Sequence, residues 1–289
     1  MIDQAIRAKI KLIKIHTKRL IQSGISGDYL SAFKGSGLEF DRLREYQSGD
    51  DVRFIDWNCS AKMNKIMVKE FVEERDRTVI LCIDVSASSL YSSQKDLRKD
   101  TISQLAATLT FVAQENKDKV GALFFSDKIE KWIPPSKSNV HIGKIIETIF
   151  SLKPNSKKTN ITEALKFLAS LKKRGAIVFM ISDWIDTQEQ YTKLLKIASL
   201  EYDFLGVRVL DQHETSFPDI GLIDIQDPES GQIYTLDSKN KLNTHLKARI
   251  LEQKDIFRKH KIDLLDLTVG EPFINPLIKF FHQRTRRQI

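Results

Sequence analysis

A chain of 289 residues that is 41% apolar and 29% charged holds enough core-forming material to fold, and its 12 Gly and 7 Pro are too few for a collagen-like or linker-dominated protein. Two cysteines and six scattered histidines, with no HExxH pair, exclude a disulfide framework and a Cys-rich zinc site and leave a zinc enzyme without ligands. The 46 Lys and Arg exceed the 38 Asp and Glu by a net +8, a modest basic excess that permits anionic partners without demanding them.

Residues 2–22 read as an amphipathic helix, with Ile6, Ile10, Ile13, Leu20 and Ile21 near a 3.6-residue period and lysines between. Residues 23–60 read as irregular, dense in Gly, Ser, Asp and Arg. Residues 64–74 read as an extended segment around Ile66, Val68 and Phe71. The run TVILCIDV that follows Arg77 is continuously apolar up to its acid, as in a strand buried on both faces, and it makes Cys82 a buried thiol. Then come a helix at 94–116, strands at 119–125 and 128–133, helices at 139–152 and 160–173, and a buried strand at 175–181. A helix at 187–199 leads to a strand at 204–210. A short strand pair at 219–236, a charged helix at 239–260, a strand at 262–269 and a helix after Pro272 complete the chain.

This alternation predicts an α/β protein with a doubly wound, mostly parallel sheet. The expected division is an N-terminal helix and polar arm, 1–74, packed on a sheet domain, 75–289, with a strand-pair insertion near 219–236. The longest apolar runs, 105–113 and 176–181, fall short of the about 20 residues that cross a bilayer. The N-terminus lacks the apolar block of a signal peptide, so a cytoplasmic location is expected. Arg284, Arg286 and Arg287 read as a solvated tail.

In doubly wound sheets ligands sit where strands end and helices begin. The first buried strand ends in D-x-S-x-S, which puts Asp84, Ser86 and Ser88 on alternate residues. Thr159 precedes a later helix, and Asp183 follows the strand at 175–181. All five supply oxygen only, the donor set of a hard cation such as Mg²⁺ or Mn²⁺. Each alone is also an ordinary turn or capping residue: Ser88 and Thr159 suit helix N-caps.

DVSAS, KKTNITEAL and FMISD together resemble the von Willebrand factor A-type fold and its metal-ion-dependent adhesion site. The resemblance implies that Asp84, Ser86 and Ser88 form the first ligand motif, Thr159 the second and Asp183 the third. That fold usually carries Gly after the last Asp, where this chain has Trp184. The block GSGLEFDRLREYQSGDDVRFIDWNCSAK (35–62), DKVGALFFSDKIEKWIPP and DLLDLTVGEPFINPLIKFF resemble a bacterial family known as domain of unknown function 58. Its members are A-type domains often encoded beside MoxR-type ATPases of the AAA+ superfamily, which makes such an ATPase or its client the implied partner. Many members carry membrane segments; none is visible here. Within 35–62, Arg44, Arg53 and Trp57 are the candidate partner-binding residues, since Arg and aromatic side chains dominate hot spots; the other reading of this segment is a structural polar network.

Enzyme readings find little support. A haloacid-dehalogenase-like phosphatase needs a second Asp where Ser86 stands, and neither a G-x-S-x-G elbow nor a Walker A loop is present. Asp84 and Asp183 could activate a metal-bound water, but no His or Lys in the motif would handle protons. The expected function is therefore a metal-dependent protein-binding module, not a catalyst, with a partner carboxylate completing the metal's shell. The alternative is a basic surface for nucleic acid, the less favoured partner, or for an anionic membrane.

Overall fold

The computed structural model describes residues 4–20, 25–33, 39–72, 77–90, 92–93, 97–185, 191–226, 231–239 and 242–287. The chain divides into two compact units, residues 1–33 with 77–289, and residues 34–76. The arm expected over 1–74 is thus shared between them, its N-terminal helices going with the sheet.

In the larger unit, α1 (Gln4–Leu20) and α2 (Ser26–Ala32) precede the sheet. The smaller unit pairs β1 (Glu39–Glu45) antiparallel with β2 (Met67–Val72), and α3 (Trp57–Met63) lies between them in sequence. Helix α3 starts on Asp56, whose carboxylate accepts from Cys59 N at 3.0 Å. It stops at Asn64, in the left-handed region at φ 54°. The region 23–60, expected to be irregular, therefore contains α2, β1 and α3. Their signals are faint because each is short and charged residues interrupt the apolar period.

The remaining elements build the sheet. They are β3 (Thr78–Asp84), α4 (Arg98–Glu115), β4 (Lys119–Phe125), β5 (Ile129–Ser136), α5 (Asn139–Ser151), α6 (Ile161–Leu171), β6 (Ile177–Ser182), α7 (Tyr191–Glu201) and β7 (Asp203–Leu210). Then follow α8 (Gln212–Thr215), β8 (Leu222–Gln226), β9 (Ile233–Asp237), α9 (Leu242–Lys259), β10 (Asp263–Thr268) and α10 (Ile274–Arg287). Six strands run in the order β10-β7-β6-β3-β4-β5, all parallel except the edge strand β5. The strands β8 and β9 form a separate antiparallel pair. The doubly wound, mostly parallel α/β arrangement is present as expected.

Both faces are packed, and the period-2 rule of strands divides the core. On β3, Val79, Leu81 and Ile83 face the layer of α2, α4, α5 and α10, while Ile80 and Cys82 face α6, α7 and α9. On β6, Ile177, Phe179 and Ile181 alternate in the same way with Val178 and Met180. Each such aliphatic side chain contributes about 1.5–3 kcal/mol through burial. On β7 the alternation admits Gly206 because the ring of Phe257 on α9 fills the space: a Cβ there would lie 2.4 Å from Phe257 Cε1. Burial pushes the Cys82 thiol well above its usual range.

The C-terminus departs from its reading as a solvated tail. Arg284 is buried, donates to Ala32 O at 3.0 Å and to Asp263 Oδ2 at 2.8 Å, pairs with Asp203, and stacks 4.9 Å from the Phe33 ring. Arg287 donates to Asp263 Oδ1 at 2.7 Å. The arginines sit one helical turn apart on α10, and only the packed sheet shows which of them turns inward.

Candidate metal centre

Strand β3 has β4, its successor in the chain, on one side and β6 on the other, so the direction of winding reverses beside it. The carboxyl ends of β3 and β6 flank this switch point, where a doubly wound sheet opens a crevice. Asp84 is the last residue of β3, and Ser182 the last of β6.

Asp84 is buried, 3% exposed. Its Oδ1 accepts from Ser86 N at 3.0 Å and from Ser86 Oγ at 2.6 Å, and its Oδ2 accepts from Ser182 Oγ at 2.7 Å. Ser86 Oγ lies 3.0 Å from Ser88 Oγ. Burial, and next the charge of Asp183, push the Asp84 carboxyl up to about 7, against the hydrogen bonds from Ser86 and Ser182 that favour the anion. The loop after β3 is pinned by Val85 N to Phe125 O and Ala87 N to Lys157 O, both 2.9 Å. Asn160 N donates to Ser126 O at 3.0 Å. These bonds bring the segment 157–160, with half-buried Thr159, against the ends of β3 and β4.

Asp183 Oδ1 accepts from Ile185 N at 2.9 Å, and its Oδ2 from Arg98 Nη1 at 2.6 Å. Trp184 follows at φ 59°, the left-handed backbone that favours glycine. Trp184 thus occupies a backbone position that suits glycine. The indole makes up the difference by burial, donating Nε1 to Val207 O at 3.2 Å and packing edge-on against Phe257 at 4.7 Å.

Oxygens at neighbouring corners of an octahedron with bonds of about 2.0–2.1 Å stand roughly 3 Å apart. The hydroxyls of Ser86 and Ser88 already have that spacing, with Asp84 beside them, so this loop fits a hard cation. Among the described residues no group of three or more His, Cys, Asp or Glu side chains gathers as a ligand set, and the candidate donors are two carboxylates and hydroxyls.

Sequence reasoning missed four contributors. Ser182 orients Asp84. Glu130 on β5 holds the 155–156 turn, accepting from Asn155 Nδ2 at 2.7 Å and from Ser126 Oγ at 2.7 Å. Arg98 and Glu214 form an ion pair, and Arg98 also reaches Asp183. Arg98 lies in the charge run KDLRKD, which reads as a solvated surface. Its one sequence-level signal is a cation in the first turn of a helix, where the dipole disfavours it.

The candidate docking residues lie in the smaller unit. Arg44 is engaged by Asp50 through two bonds, Nη1 to Oδ2 at 2.6 Å and Nη2 to Oδ1 at 2.8 Å. Arg53 turns back on Asp51, Nη2 to Oδ2 at 2.6 Å. Trp57 is 68% exposed, and Arg53, although paired with Asp51, is exposed as well. Leu38 and its four predecessors lie outside the described residues.

Residues 42–255 match the model of the family described as protein of unknown function DUF58. The uncharacterized protein Rv1480 of Mycobacterium tuberculosis is 24% identical over 291 residues, which cover 98% of this chain and 91% of the relative. Among solved structures, the conserved hypothetical protein BatB from Bacteroides thetaiotaomicron aligns with a TM-score of 0.51 at 17% identity, over 73% of this chain and 99% of that one. The SpRpn10 VWA domain aligns with a TM-score of 0.40 at 9% identity, over 70% of this chain and 93% of that one. No helix among the described residues is long and apolar enough to cross a membrane.

Proposed function

The chain belongs to the DUF58 family, and from its site we propose that it is a metal-dependent protein-binding module. The observation that supports this most directly is the cluster of oxygens from buried Asp84 and Ser86 and half-buried Ser88 at the switch point, beside Asp183. Mg²⁺ or Mn²⁺ would be held by Asp84, Ser86 and Ser88, with Thr159 and Asp183 joining from the neighbouring loops. Bound there, the ion supplies a positive charge that favours an anionic oxygen over a neutral one. A carboxylate from another protein is the ligand this chemistry selects. The family resemblance makes a MoxR-type ATPase, or its client, the first partner to try, with Trp57 as a second contact. No phosphate-binding loop stands beside the cluster among the described residues, and the role proposed is binding without catalysis.

Thermal unfolding with and without millimolar Mg²⁺ tests the site. A ligand at about 100 times its dissociation constant stabilises by roughly 2.7 kcal/mol. Asp84→Ala and Ser86→Ala should abolish the gain while the sheet stays folded. Equal gains in wild type and Asp84→Ala would exclude this centre.

One observation favours a second reading. Helix α1 carries Arg7, Lys9, Lys11, Lys14, Lys18 and Arg19 and no acid, while Leu12 and Ile15 stay exposed. Such a helix suits an anionic surface, above all a membrane interface. Binding through α1 would fall steeply with salt and ignore chelators; binding through the metal centre would do the reverse.

A further inference from the structure

Arg98 is the first residue of α4 and is 1% exposed. Its guanidinium reaches three loops at the carboxyl edge of the sheet. Nη1 donates to Asp183 Oδ2 at 2.6 Å and to the Ser88 carbonyl at 3.1 Å, and Nη2 donates to Glu214. Nε is buried without a hydrogen-bond partner among the described residues. Glu214 in turn closes the capping box of α8, accepting from Asp211 N at 2.8 Å. Asp211 holds the segment before α4, accepting from Ser93 N at 2.8 Å and Ser92 Oγ at 3.3 Å.

Helix requirements do not explain this arginine. Its helix starts at Leu97 without a side-chain cap, and a cation in the first turn opposes the helix dipole. Local rules are broken at two neighbouring residues, Leu97 and Arg98, as happens where a side chain serves a site and not its own element. What Arg98 serves is the group of carboxylates around it. Asp183 and Glu214 touch it, and Asp84 lies close enough to act on it electrostatically. Buried carboxylates without a cation are costly, and removing the partner of a buried charge costs more than the pair contributes.

We infer that Arg98 is the resident counter-ion of the metal centre, and that a divalent cation enters by taking Asp183 from it. This rests on the metal-binding reading above and specifies how that site is regulated. Without metal, the guanidinium divides its charge between Asp183 and Glu214. With metal, Asp183 is drawn to the ion and Arg98 keeps Glu214. The two cations therefore compete for one carboxylate, and each lowers the other's hold on it by the same factor. Glu214 is the fallback partner that makes the exchange affordable inside a dry site. The exchange also reaches α8 and the 92–93 segment, because Glu214 and Asp211 hold both. Metal occupancy is thereby reported on the rim where a partner would dock.

Titration with Mn²⁺ alone, read by paramagnetic resonance of the free ion and by calorimetry, tests this on the full chain. Arg98→Met should bind Mn²⁺ roughly tenfold tighter than wild type, within the usual range of coupling between sites. Glu214→Gln should bind roughly tenfold weaker, because the guanidinium is then left to Asp183 alone. In chelator, Arg98→Met should melt below wild type, and Mn²⁺ should raise its melting temperature by more than it raises that of wild type. If Arg98→Met does not fold without metal, the Glu214→Gln result decides the matter by its sign. Measurable binding in wild type that is unchanged or weaker in Arg98→Met, or unchanged or tighter in Glu214→Gln, overturns the counter-ion role and leaves the metal centre standing. Absence of Mn²⁺ binding in wild type and both variants overturns the metal centre itself, and the inference with it.

Discussion

Trp184 permits a test in which the usual ranking of two substitutions should invert. Its backbone stands at φ 59°, its carbonyl accepts from Gln253 Nε2 at 2.6 Å, and its indole is fully buried. Truncation to Ala or to Gly leaves nearly the same hole, and emptying a Trp site costs about 3–5 kcal/mol. That large term cancels between the two variants. Two smaller ones remain. An L-residue in the left-handed region costs roughly 1–2 kcal/mol, which Gly avoids. Gly loosens the unfolded chain, which lowers stability by about 0.4–1 kcal/mol relative to Ala. The difference leaves Trp184→Gly more stable than Trp184→Ala by about 1 kcal/mol. Urea unfolding followed by circular dichroism, with the slopes checked for equality, resolves such a gap. An Ala variant as stable as the Gly variant, or more so, would refute the reasoning that this turn is a glycine position occupied by an indole.

Gly206→Ala should destabilise by about 1–3 kcal/mol through overpacking, because the added methyl meets Phe257 and Leu264 at 2.4 and 3.0 Å; Phe257→Leu in the same chain should restore part of the loss, and a neutral Gly206→Ala in thermal melts would contradict that close approach. In the smaller unit, hydrogen bonds from Arg44 and Arg53 hold Asp50 and Asp51 down to about 2. Since these pKa values are depressed, the stability they lend is present above the ordinary Asp value of about 3.9 and is lost as pH falls toward 2. Amide NMR signals of residues 39–72 should weaken over that window, and Asp50→Asn should flatten the dependence; an unchanged profile would show that the pair contributes nothing. Purified protein should not hydrolyse ATP or phosphate esters above background, and a turnover that survives purification but disappears in Asp84→Ala would replace the binding role with a catalytic one.

The sheet was legible where burial on both faces leaves a continuous apolar run, as in TVILCIDV and the strand before Ser182. The motif Asp84, Ser86 and Ser88 was legible because its members are neighbours in the chain, so one loop decides their geometry. Arg98 and Glu214 were not, since they are far apart in sequence and meet only when β7 lies beside β6. Helix α2 was hidden for a related reason: Tyr29 and Phe33 become core residues through partners distant in sequence, Phe281 of α10 at ring distances of 5.8 Å and 5.7 Å and, for Phe33, Phe179 of β6. That Trp184 stands where the A-type fold usually carries Gly is legible in the chain, but only the backbone angle shows that it takes up the left-handed conformation that favours glycine.

The clasp of Arg284 on the Ala32 carbonyl joins residues 252 positions apart. It imposes an order in time. During synthesis α2 is made well before α10, whose Phe281 packs against Tyr29 and Phe33. Strand β10 follows the other five strands of this sheet in the chain, and it completes one edge. Until α10 arrives, the growing chain exposes both an aromatic patch and the open edge of β7, features that invite association between nascent molecules. Closure of the larger unit therefore waits for α10. Truncation just before Arg284 would remove the guanidinium that ties α10 to the Ala32 carbonyl and to Asp203 and Asp263, and would weaken that closure.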